Sequence, residues 1–192
     1  MKLKGRREGM ITSYDEFVRY LKEDGEAMKS KVMFPKFYHW MGLGDKIWFF
    51  LYLTRRLEYL HNTKNGMLWK LPYLFYKYIR YRVALQLDFS IPINTLGSGV
   101  SIPHRGTIVI NSGARLGKGC RIHVCTNIGA FKGGAPKIGD GVYIGPGAKI
   151  FGDITIGDNI SIGANAVVNK SFMTPNISIA GVPAKQIASV NT

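Results

Sequence analysis

Acidic side chains are scarce in this chain of 192 residues, with 12 Asp and Glu against 26 Lys and Arg, for a formal charge of +14. Such an imbalance favours an anionic partner through long-range attraction: nucleic acid, a membrane surface or a phosphorylated small molecule. Charge alone does not choose among them. Cysteine is scarcer still. Cys120 and Cys125 stand at a spacing that fits no zinc or redox motif, which excludes a disulfide framework and predicts two reduced packing residues. Of four histidines, His39 and His61 lie in the first half and His104 and His123 in the second, too few together for a zinc site built on three imidazoles. No metal is expected. Long apolar runs are missing too: Ile47 to Leu53 is ended by Thr54, Arg55 and Arg56, far short of the roughly 20 residues a membrane span needs. Lys2, Lys4, Arg6 and Arg7 are followed by Glu8, Asp15 and Glu16, where a secretory signal would carry its apolar stretch. The expected location is cytoplasmic.

What is present divides into two grammars. Residues 1–88 are rich in aromatic, Leu, Lys and Arg residues and hold helix-length stretches at Ser13–Lys22, Gly44–His61 and Gly66–Gln86, with Asp45 as a helix start and Pro72 in a first turn or at a kink. From residue 89 the composition shifts to Gly, Ile, Val, Ala and Asn, with only nine basic and three acidic residues. We therefore expect a helical domain over 1–88, a second domain over 89–175 and a tail over 176–192.

Ile138, Ile144, Ile150, Ile156, Ile162 and Val168 recur at every sixth position, each with another apolar residue two positions earlier (Pro136, Val142, Ala148, Ile154, Ile160 and Ala166). A period of two inside a period of six is a short strand followed by a turn. Three such hexads close a triangular coil of about eighteen residues, and each coil buries its aliphatic row against the next. Gly139, Gly145, Gly157 and Gly163 follow the aliphatic residues, where a tight bend is expected. The phase extends upstream through Ile128, Ile122, Leu116 and Ile110. Between Ile128 and Ile138 four extra residues form a glycine-rich loop, the kind of excursion from a rigid scaffold that carries function.

Six positions before Ile110 stands His104, a titratable side chain where the repeat predicts an aliphatic one. Around it, the segments IPHRGTIVIN, KIGDGVYIGPGAKIFGDITIGDNISIGANAVV and GVPAK are similar to serine acetyltransferases and, more closely, to cytoplasmic O-acetyltransferases of bacterial polysaccharide synthesis. The resemblance implies an α+β chain in which the helical region precedes a left-handed parallel β-helix. It also implies a homotrimer or dimer of trimers with sites between subunits, acetyl-CoA as co-substrate, and His104 as general base. Ala130, Gly145, Pro146 and Ala164 then fall on positions that contact pantetheine and nucleotide, with Lys185 near the 3′-phosphate. Asp88 is the candidate partner that orients His104, although the matching acidic position falls on Phe89. Arg105 and His123 are candidates for the acceptor groove. Two departures bear on the acceptor: serine acetyltransferases carry Asp immediately before the histidine and His before the Pro-Lys-Ile of the loop, where this chain has Pro103 and Ala135.

The implied function is acetyl transfer to a hydroxyl, first of a sugar in surface polysaccharide and alternatively of serine. Two rivals come from other classes. One is a β-helical carbonic anhydrase, for which the histidines are too few, and the other is a basic nucleic-acid-binding or scaffold trimer that transfers no acyl group. The enzyme reading expects no nucleic acid. In the helical half, KIWFFLYLTRRLEYL and MLWKLPYLFYKYIRYR interleave aromatic and basic residues. Mutual packing of the aromatic faces is the preferred reading, with peripheral membrane contact as the alternative.

Overall fold

A computed structural model describes residues 10–30, 33–34, 39, 43–64 and 66–189. The basic N-terminal cluster at Lys2, Lys4, Arg6 and Arg7 lies outside the described residues. Among the described residues three helices come first: α1 (Tyr14–Ala27), α2 (Lys46–Thr63) and α3 (Lys70–Leu87). The first two starts have a local cause. The Ser13 hydroxyl accepts from the Glu16 N–H at 3.1 Å, and the Asp45 carboxylate accepts from the N–H groups of Ile47 and Trp48 at 2.9 and 3.1 Å. Such caps satisfy amides that a helix's first turn leaves unpaired. Pro72 sits in the first turn of α3, where its missing N–H costs little. Asp88 ends α3 in the left-handed conformation at φ 62° and turns the chain into the first coil.

Three faces of short parallel strands then wind into a prism of about five coils. One face stacks β1 (Phe89–Ser90), β2 (Ile108–Ile110), β5 (Thr126–Gly129), β8 (Lys149–Phe151) and β11 (Val167–Val168). The second stacks β3 (Arg115–Leu116), β6 (Lys137–Ile138) and β9 (Thr155–Ile156). The third stacks β4 (Arg121–Ile122), β7 (Tyr143–Ile144), β10 (Ser161–Ile162) and β12 (Ile177–Gly181), on which β13 (Ala184–Ser189) folds back antiparallel. Ile128, Ile150 and Val168 lie level on one face, and Ile122, Ile144, Ile162 and Ile179 on another. All seven are fully buried. Each such aliphatic side chain contributes roughly 1.5–3 kcal/mol of burial, so the periodic row is the main source of cohesion.

The corners correct one expectation. Left-handed residues come three positions after the aliphatic one, not one, at Gly119, Cys125, Gly141, Gly147, Asn159 and Asn165. Gly139, Gly145, Gly157 and Gly163 are not left-handed; they are small because the next coil passes directly over them. A Cβ on Gly145 would lie 2.7 Å from the Ile162 carbonyl oxygen and 2.8 Å from the Ala164 nitrogen. The cysteines also separate. Cys120 is buried, and burial pushes its thiol up to about 12, whereas Cys125 is not a core residue and lies exposed on a left-handed corner.

A second correction concerns phase. The inward position level with Ile122 belongs to Ile102, which is fully buried, since Ser101 bridges to Arg121. Eight residues rather than six separate Ile102 from Ile110, and the excess pushes Pro103–Gly106 outward. His104 is therefore exposed on a corner and does not interrupt the core.

The helices close the open end of the prism. Amides and carbonyls of the first coil that have no coil above them meet side chains instead. Arg55 donates to the Leu96 and Gly97 carbonyls at 2.8 and 2.6 Å, Asp24 accepts from the Val100 N–H, Glu58 from the Asn94 N–H, and Arg80 donates to the Ile91 carbonyl. Arg55 itself is fully buried between Asp24 at 2.8 Å and Glu58 at 3.0 Å. Burial alone would lower its affinity for a proton, but the two carboxylates outweigh it and keep the guanidinium charged.

Candidate functional site

Strand register brings most of the candidate residues onto a single corner, the one that each coil turns between the β4–β7–β10 face and the β2–β5–β8 face. Gly106 heads it: a Cβ there would touch the Val124 side chain at 3.2 Å. Below, the Gly147 N–H donates to the Val124 carbonyl at 2.9 Å and the Asn165 N–H to the Pro146 carbonyl at 2.8 Å. Gly163 is packed on Ala180, whose antiparallel partner is Lys185. The corner thus runs from His104 and Arg105 through His123, Gly145, Pro146 and Ala164 to Lys185. Except for half-buried His123 and buried Gly145, these residues are exposed.

Ala130 is not brought to this corner. It leaves β5 toward β6, at the next corner, between the β2–β5–β8 and β3–β6–β9 faces, in the loop that closes on itself where the Phe131 N–H meets the Gly134 carbonyl at 2.9 Å. The exposed Phe131 ring at the loop's tip leans edge-on against Phe151. Asp88 does reach the head of the correct corner, but its carboxylate accepts from the Thr107 hydroxyl. Among the described residues no hydrogen bond joins it, or any other group, to the His104 imidazole. Asp88 thus braces the loop that carries His104 and does not orient the ring, because its left-handed backbone aims the carboxylate at Thr107.

The His104 ring faces His123, centroid to centroid 6.4 Å, and His123 in turn packs on Tyr143 at 5.0 Å. Arg121 Nε donates to His123 Nε2 at 3.4 Å. Burial, and then the charges of Arg121 and His104, lower the His123 pKa, so this imidazole stays neutral at pH 7. Sequence reasoning missed Arg121 and Tyr143. Both occupy the outward position just before an aliphatic residue, in register with Ser101, Ser161 and Ser178, so the same period of two that finds the core also finds this row. A groove of about 900 Å³ runs elsewhere, between α1 and the β3–β6–β9 face, and none of the candidate residues lines it. Among the described residues no cluster of three or more His, Cys, Asp or Glu could hold a metal ion.

Residues 135–170 match the family described as bacterial transferase hexapeptide (six repeats). The chain carries the hexapeptide repeat. Among similar curated proteins, the serine acetyltransferase of Buchnera aphidicola subsp. Schizaphis graminum is 32% identical over 142 residues, covering 71% of this chain and 51% of the relative. That of Mycobacterium tuberculosis is 39% identical over 100 residues, covering 50% and 43%. The chain spans about half the length of the curated relatives it matches. Among solved structures, serine acetyltransferase from Brucella abortus strain S19 is 28% identical with a TM-score of 0.70, over 92% of this chain and 70% of that one. The same enzyme in complex with coenzyme A is 27% identical with a TM-score of 0.68, over 93% and 70%. The hexapeptide-repeat prism is the left-handed β-helix of that class, preceded by helices.

Proposed function

We propose that the chain is an acetyl-CoA-dependent O-acetyltransferase with His104 as general base. The observation that carries this reading is the shared corner: an exposed imidazole at one end with no hydrogen bond among the described residues, small residues along the wall, and a lysine at the other end. A relative solved with coenzyme A supports it. An alcohol is a poor nucleophile until a positioned base takes its proton. His104 accepts that proton as the oxygen bonds to the thioester carbonyl carbon; the carbon–sulfur bond then breaks, and the imidazolium returns the proton to the thiolate. Gly145, Pro146 and Ala164 leave room for the pantetheine arm, and Lys185 offers a cation to the nucleotide phosphate. Ala130 has to come from a neighbouring copy to join them, which fits a trimer or a multiple of one. Sedimentation of only monomer at micromolar concentration would contradict that assembly.

Serine is the acceptor that the relatives' names support, and it takes precedence over the surface-polysaccharide sugar expected from the sequence. The sugar remains a second reading on one observation: Pro103 and Ala135 stand where the resemblance places a carboxylate and an imidazole for an amino-acid acceptor. Coenzyme A thiol release, measured with serine and with nucleotide-linked and oligomeric sugars, separates the two. A kcat/KM for serine far above that for any sugar establishes the first reading and removes the second; absence of thiol release with every hydroxyl acceptor overturns both.

A further inference from the structure

Helix α3 buries only Val83, Ala84 and Leu87. Along its other side run Leu71, Leu74, Tyr78, Tyr81 and Leu85, each more than half exposed and spaced alternately by three and four residues, so that they form one stripe. The turn before the helix adds Met67 at 79% exposure and Leu68 at 89%. A contiguous apolar surface of this kind marks a contact site. Charge decides what it contacts. Lys70, Lys77 and Arg82 flank the stripe, and from Lys64 to Leu87 there is no acidic residue at all. The α3 of a second copy laid against it would set these cations against their own kind with no carboxylate to pair them, and every copy carries a net charge of +14.

We propose that α3 and the turn before it dock on the surface of an anionic lipid bilayer, with the stripe in the interfacial layer and the flanking cations on lipid headgroups. Leucine supplies the apolar contact, tyrosines sit at headgroup depth with their hydroxyls wet, and lysines and arginine gain from the negative surface potential. No helix among the described residues is long and apolar enough to cross a membrane, so the helix lies on the bilayer and does not span it. The docked helix runs straight into the His104 corner, since the Leu87 carbonyl accepts from the Gly106 N–H at 3.1 Å. The docking does not depend on the acetyl-transfer reading.

Flotation of the full chain with phosphatidylglycerol-containing vesicles and with pure phosphatidylcholine vesicles, with no substrate added, tests it. Binding is expected on the anionic vesicles only. It should weaken steeply as salt rises from about 0.1 to 1 M, where the screening length falls from about 10 to about 3 Å. The triple variant Leu68→Gln, Leu71→Gln, Leu74→Gln should bind at least about tenfold more weakly with unchanged sedimentation and unfolding, because the three side chains are exposed. Lys70→Gln with Lys77→Gln provides an independent charge variant and should weaken binding as well. Failure to float with anionic vesicles, or undiminished binding by both variants, overturns the proposal. So does a triple variant that sediments as a smaller oligomer, since the stripe is then a contact between copies. Thiol release with a free acceptor is measured separately, so failure of docking and failure of acetyl transfer are told apart.

Discussion

The wall of the prism and its helical cap solve one problem by opposite means. A coil inside the prism satisfies its backbone with the coils on either side, so it needs only the right aliphatic residue every six positions. The first coil has a neighbour on one side alone. On its open side Arg55, Asp24, Glu58 and Arg80 replace a missing strand, bond by bond. An unpaired strand edge is a template for further pairing, and covering it with charged side chains blocks that while keeping the carbonyls satisfied. Regular cohesion therefore comes from a repeated apolar residue, whereas ending the repeat takes individual polar ones.

His104 belongs to neither system. It stands on residues extruded from the wall and has no hydrogen bond among the described residues, so His104→Ala should leave thermal unfolding and coenzyme A affinity unchanged. On the proposed mechanism it is the general base, and its loss should lower turnover by about 100- to 10,000-fold, about 3–5 kcal/mol of barrier. Retention of more than about a tenth of wild-type thiol release would remove His104 from the mechanism. Next in size is the cap. Arg55→Met leaves Asp24 and Glu58 buried without their cation and two carbonyls without a donor, a loss of about 3–5 kcal/mol in urea unfolding. In the wall, Ile150→Ala should cost about 2–5 kcal/mol by opening a cavity between coils. Arg55→Lys sharpens the contrast: it keeps the charge but not the fork, so a full recovery would mean that charge alone, not edge capping, holds the cap in place.

That difference also explains what is legible in the sequence. The aliphatic row from Ile138 to Val168 is periodic because every coil asks for the same thing, so both the prism and its outward rows follow from counting. Arg55 answers a need that arises once, at an end, and no period announces it. The same counting misplaces His104, because extrapolation from Ile110 assumes an unbroken hexad where the chain carries two extra residues and Ile102 fills the inner position. Composition suggests that α3 buries its aromatics as α2 does, but only one of its sides meets α2. The glycines after Ile138, Ile144, Ile156 and Ile162 look like bends, although their spacing serves clearance between coils and the bends fall two residues later.

The corner residues provide a smaller test of the wall. Asn165 holds φ 55° and stands below Gly147, which holds φ 77° one coil earlier. Asn165→Val should cost about 1–2 kcal/mol, because a β-branched residue resists the left-handed region, while Asn165→Gly should be close to neutral. Equal losses would mean that the amide side chain, not the backbone conformation, is what the corner selects.

The smallest effect is a protonation shift at His123. Its folded-state pKa is lowered by burial, then by Arg121 and by His104, whereas in the unfolded chain it returns to about 6.5. The unfolded chain therefore binds the proton more readily, so this residue's contribution to stability is full above about pH 6.5 and is lost as pH falls through the lower folded value. Removing a cause should move the titration in a definite direction. In Arg121→Gln the imidazole loses a nearby positive charge, so its midpoint, followed by the ring carbon protons in NMR, should rise toward the ordinary value while Tyr143 still packs on it. In His104→Ala the same midpoint should rise by less, since His104 is the weakest of the three causes. If His123 already titrates at the ordinary value in the unmodified chain, the ring is not desolvated between Tyr143 and Arg121, and the corner around His104 is more open than its packing indicates.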